Sequence, residues 1–420
     1  RPMTELAPLW ALCSLNDDTL KDSTPSDFAF EYVDISNVTE GDISDDLESL
    51  TFGTAPSRAR RLAQPDDVII STVRTYLRAI ARVGAAEFQR VYSTGFAVLR
   101  PVGGAVDPRY LAYILTSNRV MDEIIATSVG VSYPAIQGSA LHRMRVPRAD
   151  LHTQRAIADY LDRETGEIDA MIAKMNELAE TLLARRKTLI LRGTRQDGLS
   201  VDSAADVAET ATLPDGWRLL PLKFAIEDAQ TGVWGEESNG GDDDILCARV
   251  ADFDRVKINV TEVPTVRRVS AKDREKCALR HGDILVEKSG GTDKNPVGTV
   301  VVYEGELPAV YANFILRLRP LKDHHARFWL YALHGSYLAG RTWNFVRQTT
   351  GIQNLDVNGY LSMPHPVPAH DEQRRIADHL DEVTGKIDVM LAKVAELKSL
   401  LIERRAALIT DVVTGRKAVA

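Results

Sequence analysis

Residues 154–190 read QRAIADYLDRETGEIDAMIAKMNELAETLLARRKTLI, and residues 373–409 read QRRIADHLDEVTGKIDVMLAKVAELKSLLIERRAALI. The two stretches align without gaps at an offset of 219, with 21 identical positions in 37. The same offset carries Val91, Tyr92, Leu99, Arg100 and Pro101 onto Val310, Tyr311, Leu318, Arg319 and Pro320; a one-residue shift carries Arg109 and Tyr113 onto Arg327 and Tyr331. So long a period excludes a solenoid, whose units run to roughly 20–45 residues. The chain reads as two copies of one unit, each a variable module followed by a similar helical segment. The second copy opens with Leu213-Pro-Asp-Gly-Trp217, whose equivalent would lie before Arg1, so a few residues are expected to precede Arg1.

Within the repeated segments, apolar residues recur at alternating spacings of three and four: Ile168, Met171, Met175, Leu178, Leu182, Arg185 and Leu189, then Ile387, Met390, Val394, Leu397, Leu401, Arg404 and Leu408. This is the pattern of a coiled-coil seam. Thr165 and Thr384 are expected as N-caps, each after a shorter amphipathic stretch starting near Gln154 or Gln373, and Gly193 and Gly415 suit the exits. A seam of about three heptads is marginal alone, so each helix is expected to pack antiparallel on the other, with an internal pseudo-twofold. Arg185 and Arg404 interrupt both seams at one point, either covering the seam with their stems or setting register and contacting a partner.

Short strand-like runs (67–70, 95–100, 282–286, 298–303 and 314–318) mix with amphipathic helices (108–115 and 326–333), which predicts α+β modules. The expected divisions are a first module over 1–150, a first helical spacer over 151–195, a linker over 196–212, a second module over 213–369 and a second spacer over 370–420. The linker sits in the polar, small-residue stretch from Arg192 to Asp215.

A chain of 420 residues with 44% hydrophobic and 26% charged residues is a multi-core globular protein, not a peptide-sized binder or a disordered chain. No apolar run approaches the roughly 18 residues of a membrane span, and no signal segment opens the sequence, so a soluble, cytoplasmic protein is expected. Three scattered cysteines, Cys13, Cys247 and Cys277, cannot form a disulfide framework or a zinc clip. The histidines, His324 and His325 included, lack metal-ligand spacing. No nucleophile elbow, metalloprotease motif, methylase motif or glycine fingerprint for a nucleotide or S-adenosylmethionine occurs. No catalytic residue, metal or cofactor is expected in this chain.

The net charge of -8 hides a segregation. Residues 1–48 hold 2 basic against 12 acidic side chains and residues 49–150 hold 13 against 7; residues 201–254 hold 3 against 13 and residues 255–369 hold 16 against 10. In the first basic part Arg58, Arg60, Arg61, Arg74, Arg78 and Arg82 bracket Tyr76. In the second, Lys288, Lys294, Arg341 and Arg347 surround Trp343, Asn344, Gln348 and Gln353. Arginine with Asn or Gln reads guanine and adenine edges, and basic side chains neutralise phosphates, so these residues are the candidate DNA contacts; a solvated charged face is the plain alternative. The stretch Ser289-Gly-Gly-Thr-Asp-Lys-Asn-Pro-Val-Gly298 lies between strand-like runs and lacks Gly-Lys-Ser/Thr, so it reads as a hairpin loop, not a phosphate loop.

The repeated phrase Gln-x-x-Ile-Ala-x-x-Leu-Asp-x-x-Thr-Gly-x-Ile-Asp, the helix ending Arg-Arg-x-x-Leu-Ile, the closing Asp411-Val-Val-Thr-Gly415 and Leu213-Pro-Asp-Gly-Trp217 resemble the specificity subunit of type I restriction-modification systems over essentially the whole chain. The resemblance implies two target-recognition domains, each reading one half of a split DNA site. It further implies that the repeated helices, through residues such as Ile168, Met175, Leu178, Leu182, Ile387, Val394, Leu397 and Leu401, form an antiparallel spacer. On this reading the spacer docks two copies of the modification (methyltransferase) subunit, and a restriction (motor-nuclease) subunit completes the complex. S-adenosylmethionine, ATP and Mg are then expected in the partner subunits. From Ile168 to Ile190 a helix rises about 33 Å at 1.5 Å per residue, comparable with one turn of duplex DNA at roughly 34 Å. Two other readings are a stand-alone DNA-modifying enzyme, which would need the absent motifs, and a structural coiled-coil adaptor, which leaves the repeated basic parts unexplained.

Overall fold

The computed structural model describes residues 5–197, 199, 213–292, 295–349 and 351–419. Its contacts divide the chain into two units, residues 1–175 with 396–420, and residues 176–395.

Unit 1 carries an antiparallel four-stranded sheet in the order Ile80–Arg82, Val68–Ser71, Phe96–Pro101, Cys13–Leu15. A five-stranded sheet runs Asp18–Thr19, Ala59–Leu62, Arg90–Ser93, Ala29–Val33, Glu48–Thr51, with Arg90–Ser93 parallel to Ala29–Val33. Val68-Ile-Ile70 is buried throughout, which is why it reads as a continuous β-branched run and not as an alternation. Helix Pro108–Thr116 starts where Asp107 accepts the backbone N–H groups of Arg109 at 3.0 Å and Tyr110 at 3.3 Å, with Pro108 in the first helical position.

Unit 2 repeats the plan, again with a five-stranded and a four-stranded sheet. Ile226–Thr231, Ile315–Pro320, Ile284–Glu287, Val300–Tyr303 and Asn259–Val260 form one sheet; Glu236–Glu237, Val266–Arg268, Asp244–Ala248 and Ala309–Tyr311 form the other, its Asp244–Ala248 and Ala309–Tyr311 parallel. Ile284–Glu287 and Val300–Tyr303 pair antiparallel, so the glycine-rich stretch between them does join the arms of a hairpin. The expected strands and both expected helices are present within a few residues of their predicted limits.

Each repeated segment is one uninterrupted helix, Leu151–Gly193 and Leu151's counterpart region His370–Val413. Thr165 and Thr384 therefore cap nothing. Their hydroxyls donate back to the carbonyls of Leu161 and Leu380, each at 2.7 Å, which satisfies them inside a helix. At the exits, Gly415 has the left-handed φ of +73°, but beyond Gly193 that role falls to Arg195 at φ 55°. Gly193 is instead a close approach, because a Cβ there would lie 3.1 Å from the Leu380 side chain.

The two helices run antiparallel in each unit: Asp169 pairs with Arg405 at 2.9 Å in unit 1, and Arg186 with Asp388 at 3.0 Å in unit 2. The buried stripe contains Ile168, Met175, Leu182 and Leu189, and Ile387, Val394, Leu401 and Leu408, as expected. The alternate positions are shifted by one. Ile172, Ala179 and Arg186 face inward, with Leu391, Lys398 and Arg405 at the corresponding places, whereas Met171, Leu178, Arg185, Met390, Leu397 and Arg404 are exposed. Both phases look apolar in sequence. The Arg186–Asp388 ion pair across the helices goes with the shifted phase.

Candidate nucleic-acid interface

The repeated motif is a lock between module and helix. In unit 1 the Gln154 side chain accepts the Asp107 N–H at 2.7 Å and donates to the Ala149 carbonyl at 2.8 Å; in unit 2 Gln373 accepts the His325 N–H at 2.9 Å and donates to the Pro368 carbonyl at 3.0 Å. Arg109 reaches Asp162 at 2.7 Å and Tyr113 donates to the same carboxylate at 2.7 Å; Arg327 and Tyr331 make the same pair of contacts to Asp381 at 2.5 and 2.7 Å. These residues hold the module on its helix, so the surface left for another molecule lies elsewhere.

A candidate surface lies where two loops meet, after Val68–Ser71 in unit 1 and after Ile284–Glu287 in unit 2. In unit 1 the loop after Val68–Ser71 tightens into a turn, Thr75–Leu77, flanked by left-handed Arg74 (φ 51°) and Arg78 (φ 53°). It is tied to the segment before the short helix Gly138–Arg143 by Arg74 N–H to the Pro134 carbonyl at 2.7 Å and Ile136 N–H to the Thr72 carbonyl at 2.9 Å. Tyr76 (52% exposed), Leu77, Val131 and Tyr133 (61% exposed) stand at this surface, and the Arg74 guanidinium lies 4.5 Å over the Tyr133 ring. In unit 2 the corresponding loop after Ile284–Glu287 is tied to a hairpin, Val346–Thr349 with Ile352–Leu355, through Gly290 N–H to the Gln353 carbonyl at 3.0 Å and Leu355 N–H to the Lys288 carbonyl at 2.8 Å. Trp343, Asn344, Arg347, Gln348 and Ile352 are exposed there. In unit 1 the pairing of Arg74 with the exposed Tyr133 ring has the chemistry to stack on a base and neutralise a phosphate.

The remaining predicted residues are placed differently. Arg58 pairs with Asp34 at 2.9 Å and donates to the Tyr32 hydroxyl, Arg60 lies 4.5 Å over the Phe52 ring, and Arg61 has its Nε buried, which lowers its pKa. Arg60 and Arg61 lie in the strand Ala59–Leu62 of the five-stranded sheet, and Arg58 immediately precedes it. Arg78 is spent on Glu40 at 2.5 Å, Asn118 at 3.0 Å and the Thr116 carbonyl. Arg341 is 3% exposed and donates to Gln196 at 2.6 Å and the Pro364 carbonyl at 2.8 Å, so its guanidinium faces the interior and not a base edge; burial pushes its pKa down to about 10. Gln353 is buried as well. Lys288 is half-buried, and Lys294 lies outside the described residues, as does most of the expected linker. Sequence reasoning missed Tyr133 and its neighbours Val129 and Val131; the flanking Gly130 (φ +120°) and Pro134 were the available sign of a loop.

The segregation of charge along the sequence is largely cancelled in space. Arg58, Arg60, Arg78, Arg90 and Arg100 pair with acids between Asp18 and Glu40, and Arg268, Arg274 and Arg317 pair with Glu236, Asp243 and Asp228. Among the described residues no group of His, Cys, Asp and Glu could hold a metal ion, and no helix is long and apolar enough to cross a membrane.

Two modules built alike, each locked to an antiparallel helix pair, define a class of paired-module proteins. No protein-family model matches the chain. It is similar to the type I restriction enzyme StySPI specificity subunit of Salmonella potsdam, 22% identical over 343 residues that cover 78% of this chain and 69% of the relative. It is also similar to the type I restriction enzyme EcoBI specificity subunit of Escherichia coli, 19% identical over 300 residues covering 68% and 62%. A solved structure concerned with complex assembly and conformational transition of the type I R-M system matches over 97% of both chains, with a TM-score of 0.66 at 22% identity, and shares the fold. The chain is thus a homologue of type I restriction enzyme specificity subunits, spanning about two thirds of the length of these curated relatives.

Proposed function

We propose that this chain is the DNA-recognition subunit of a type I restriction-modification complex in the cytoplasm, reading a bipartite, asymmetric site. The observation that carries the reading is the contrast inside the repeat. The lock residues Gln154, Asp162 and Thr165 recur as Gln373, Asp381 and Thr384, while the exposed loop pairs differ, with Arg74, Tyr76 and Tyr133 in one unit and Trp343, Arg347 and Gln348 in the other. Equal scaffolds suit two copies of one partner, and unlike loops suit unlike half-sequences.

The domains are 1–150 and 213–369 as target-recognition domains, 151–195 and 370–420 as helical spacers, and 196–212 as the linker between them. Each unit leaves the same apolar positions open on its helices, Met171, Leu397 and Ile402 in unit 1 and Met390, Leu178 and Leu183 in unit 2. Two modification subunits dock there, and a restriction subunit completes the complex. The chain itself is non-catalytic and binds no cofactor; S-adenosylmethionine, ATP and Mg belong to its partners. Replacing residues 213–369 with the corresponding module of a relative tests the reading. Methylome sequencing should show one half-sequence changed and the other kept; a change in both halves, or a site without a gap, would overturn it.

A further inference from the structure

In unit 1 a single carboxylate joins the loop of the candidate interface to the helix pair. Glu40 Oε2 accepts from Arg78 Nε at 2.5 Å, and Glu40 Oε1 lies 3.5 Å from Arg405 Nη1. Arg405 also pairs through Nε with Asp169 at 2.9 Å, so the second long helix, the first long helix and the loop converge on one ionic chain. Backbone contacts hold Glu40 in place: it bridges Ile80, and the next N–H, from Gly41 at φ +96°, donates to the Ile80 carbonyl at 2.7 Å. Arg78 is left-handed, an unfavourable conformation for a side-chain-bearing residue, and persists where its surroundings over-determine it. Its other guanidinium nitrogens donate to Asn118 Oδ1 and the Thr116 carbonyl, so Glu40 completes a fully engaged fork. The turn that Arg78 closes is the one that exposes Tyr76 and Leu77 beside Arg74.

We propose that Glu40 is a positioning residue for sequence readout by unit 1: through Arg78 it sets the shape of the 74–78 loop, and through Arg405 it ties that shape to the helix pair. This rests on the reading of the chain as a DNA-recognition subunit. Glu40 lies in the acidic opening of the sequence and touches no base in this scheme; it acts through the loop.

The test uses the full chain assembled with its methyltransferase partner and a pool of random-sequence DNA duplexes, from which wild-type complex enriches a split motif. Glu40→Gln should cut enrichment of one half-sequence by about tenfold, the size of one lost base contact, and leave the other half unchanged. Arg405→Gln, which also frees Asp169, should act in the same direction, and the double variant should lose less than the sum of the two single variants, as expected of residues in one chain of contacts. Hydrogen exchange supplies a second readout: the Leu77 and Arg78 amides, bonded to the Arg74 and Thr75 carbonyls, should exchange faster in Glu40→Gln, with Ile69 and Ile70 unchanged. Unaltered enrichment of both halves would overturn the proposal. So would equal loss of both halves with exposed core amides, or loss of one half without faster exchange at Leu77 and Arg78. If wild-type complex enriched no motif, the DNA-recognition reading itself would fall first.

Discussion

Arginine at a protein surface and arginine inside it are different reagents, and this chain holds both among side chains that look alike in sequence. Arg341 is buried against Gln196 and Pro364, so Arg341→Met should cost unit 2 about 1–3 kcal/mol by leaving acceptors without donors, read as a lower melting temperature with unchanged base preference. Arg74 is exposed on Tyr133. Arg74→Gln should lower the slope of log affinity against log salt by about one if the guanidinium meets a phosphate, measured on the full chain across a salt series. Two buried imidazoles give unit 2 a pH dependence. Burial, reinforced by Arg186, pushes His334 down to about 3, and burial with Arg341 nearby holds His365 well below its ordinary 6.5. Both stay neutral in the folded unit while the unfolded chain takes up protons below pH 6.5, so stability is greatest above 6.5 and falls as the pH drops, by up to about 1.4 kcal/mol per unit for each histidine. Melting of the chain from pH 7.5 to 5 should show this decline, and His334→Gln should make it shallower.

At the scale of elements, the seam separates two kinds of leucine. Leu182 and Leu401 lie in the stripe between the helices, so placing Glu at both puts charge where burial is costly, and the helix pair should lose stability. Leu178 and Leu397 are 42% and 51% exposed, so Glu at both should leave the melting temperature nearly unchanged and abolish assembly with the modification subunits. Light scattering beside thermal melting distinguishes the pairs; equal destabilisation by both would contradict the phase of the seam. Heptad spacing was legible because backbone geometry imposes it locally. Its phase was not, since Met171 and Leu178 are as apolar as Ile172 and Ala179, and only the opposing helix, with Asp388 waiting for Arg186, selects between them.

For the whole molecule, the spacer proposed above makes a length prediction. Four residues inserted after Leu178 and four after Leu397 add about 6 Å and roughly 400° of rotation to each helix, which returns the seam nearly to phase. Both half-sequences should be kept, and the unread gap should widen by one or two base pairs, read from the methylome. The duplicated motif, the α+β modules, the two long helices and the absence of catalytic fingerprints were determined by the sequence itself, because a repeat is read by direct comparison of two stretches and periodicity is a property of neighbouring residues. Which cations remain available to a partner was decided by tertiary structure alone. Arg58 meets Asp34, Arg317 meets Asp228, and Arg405 meets Glu40 from the opposite end of the chain, so the basic stretches lose their surplus only when folding brings the acidic stretches onto them. Coulomb pairing depends on separation in space, and for these pairs separation along the chain carries no information about it.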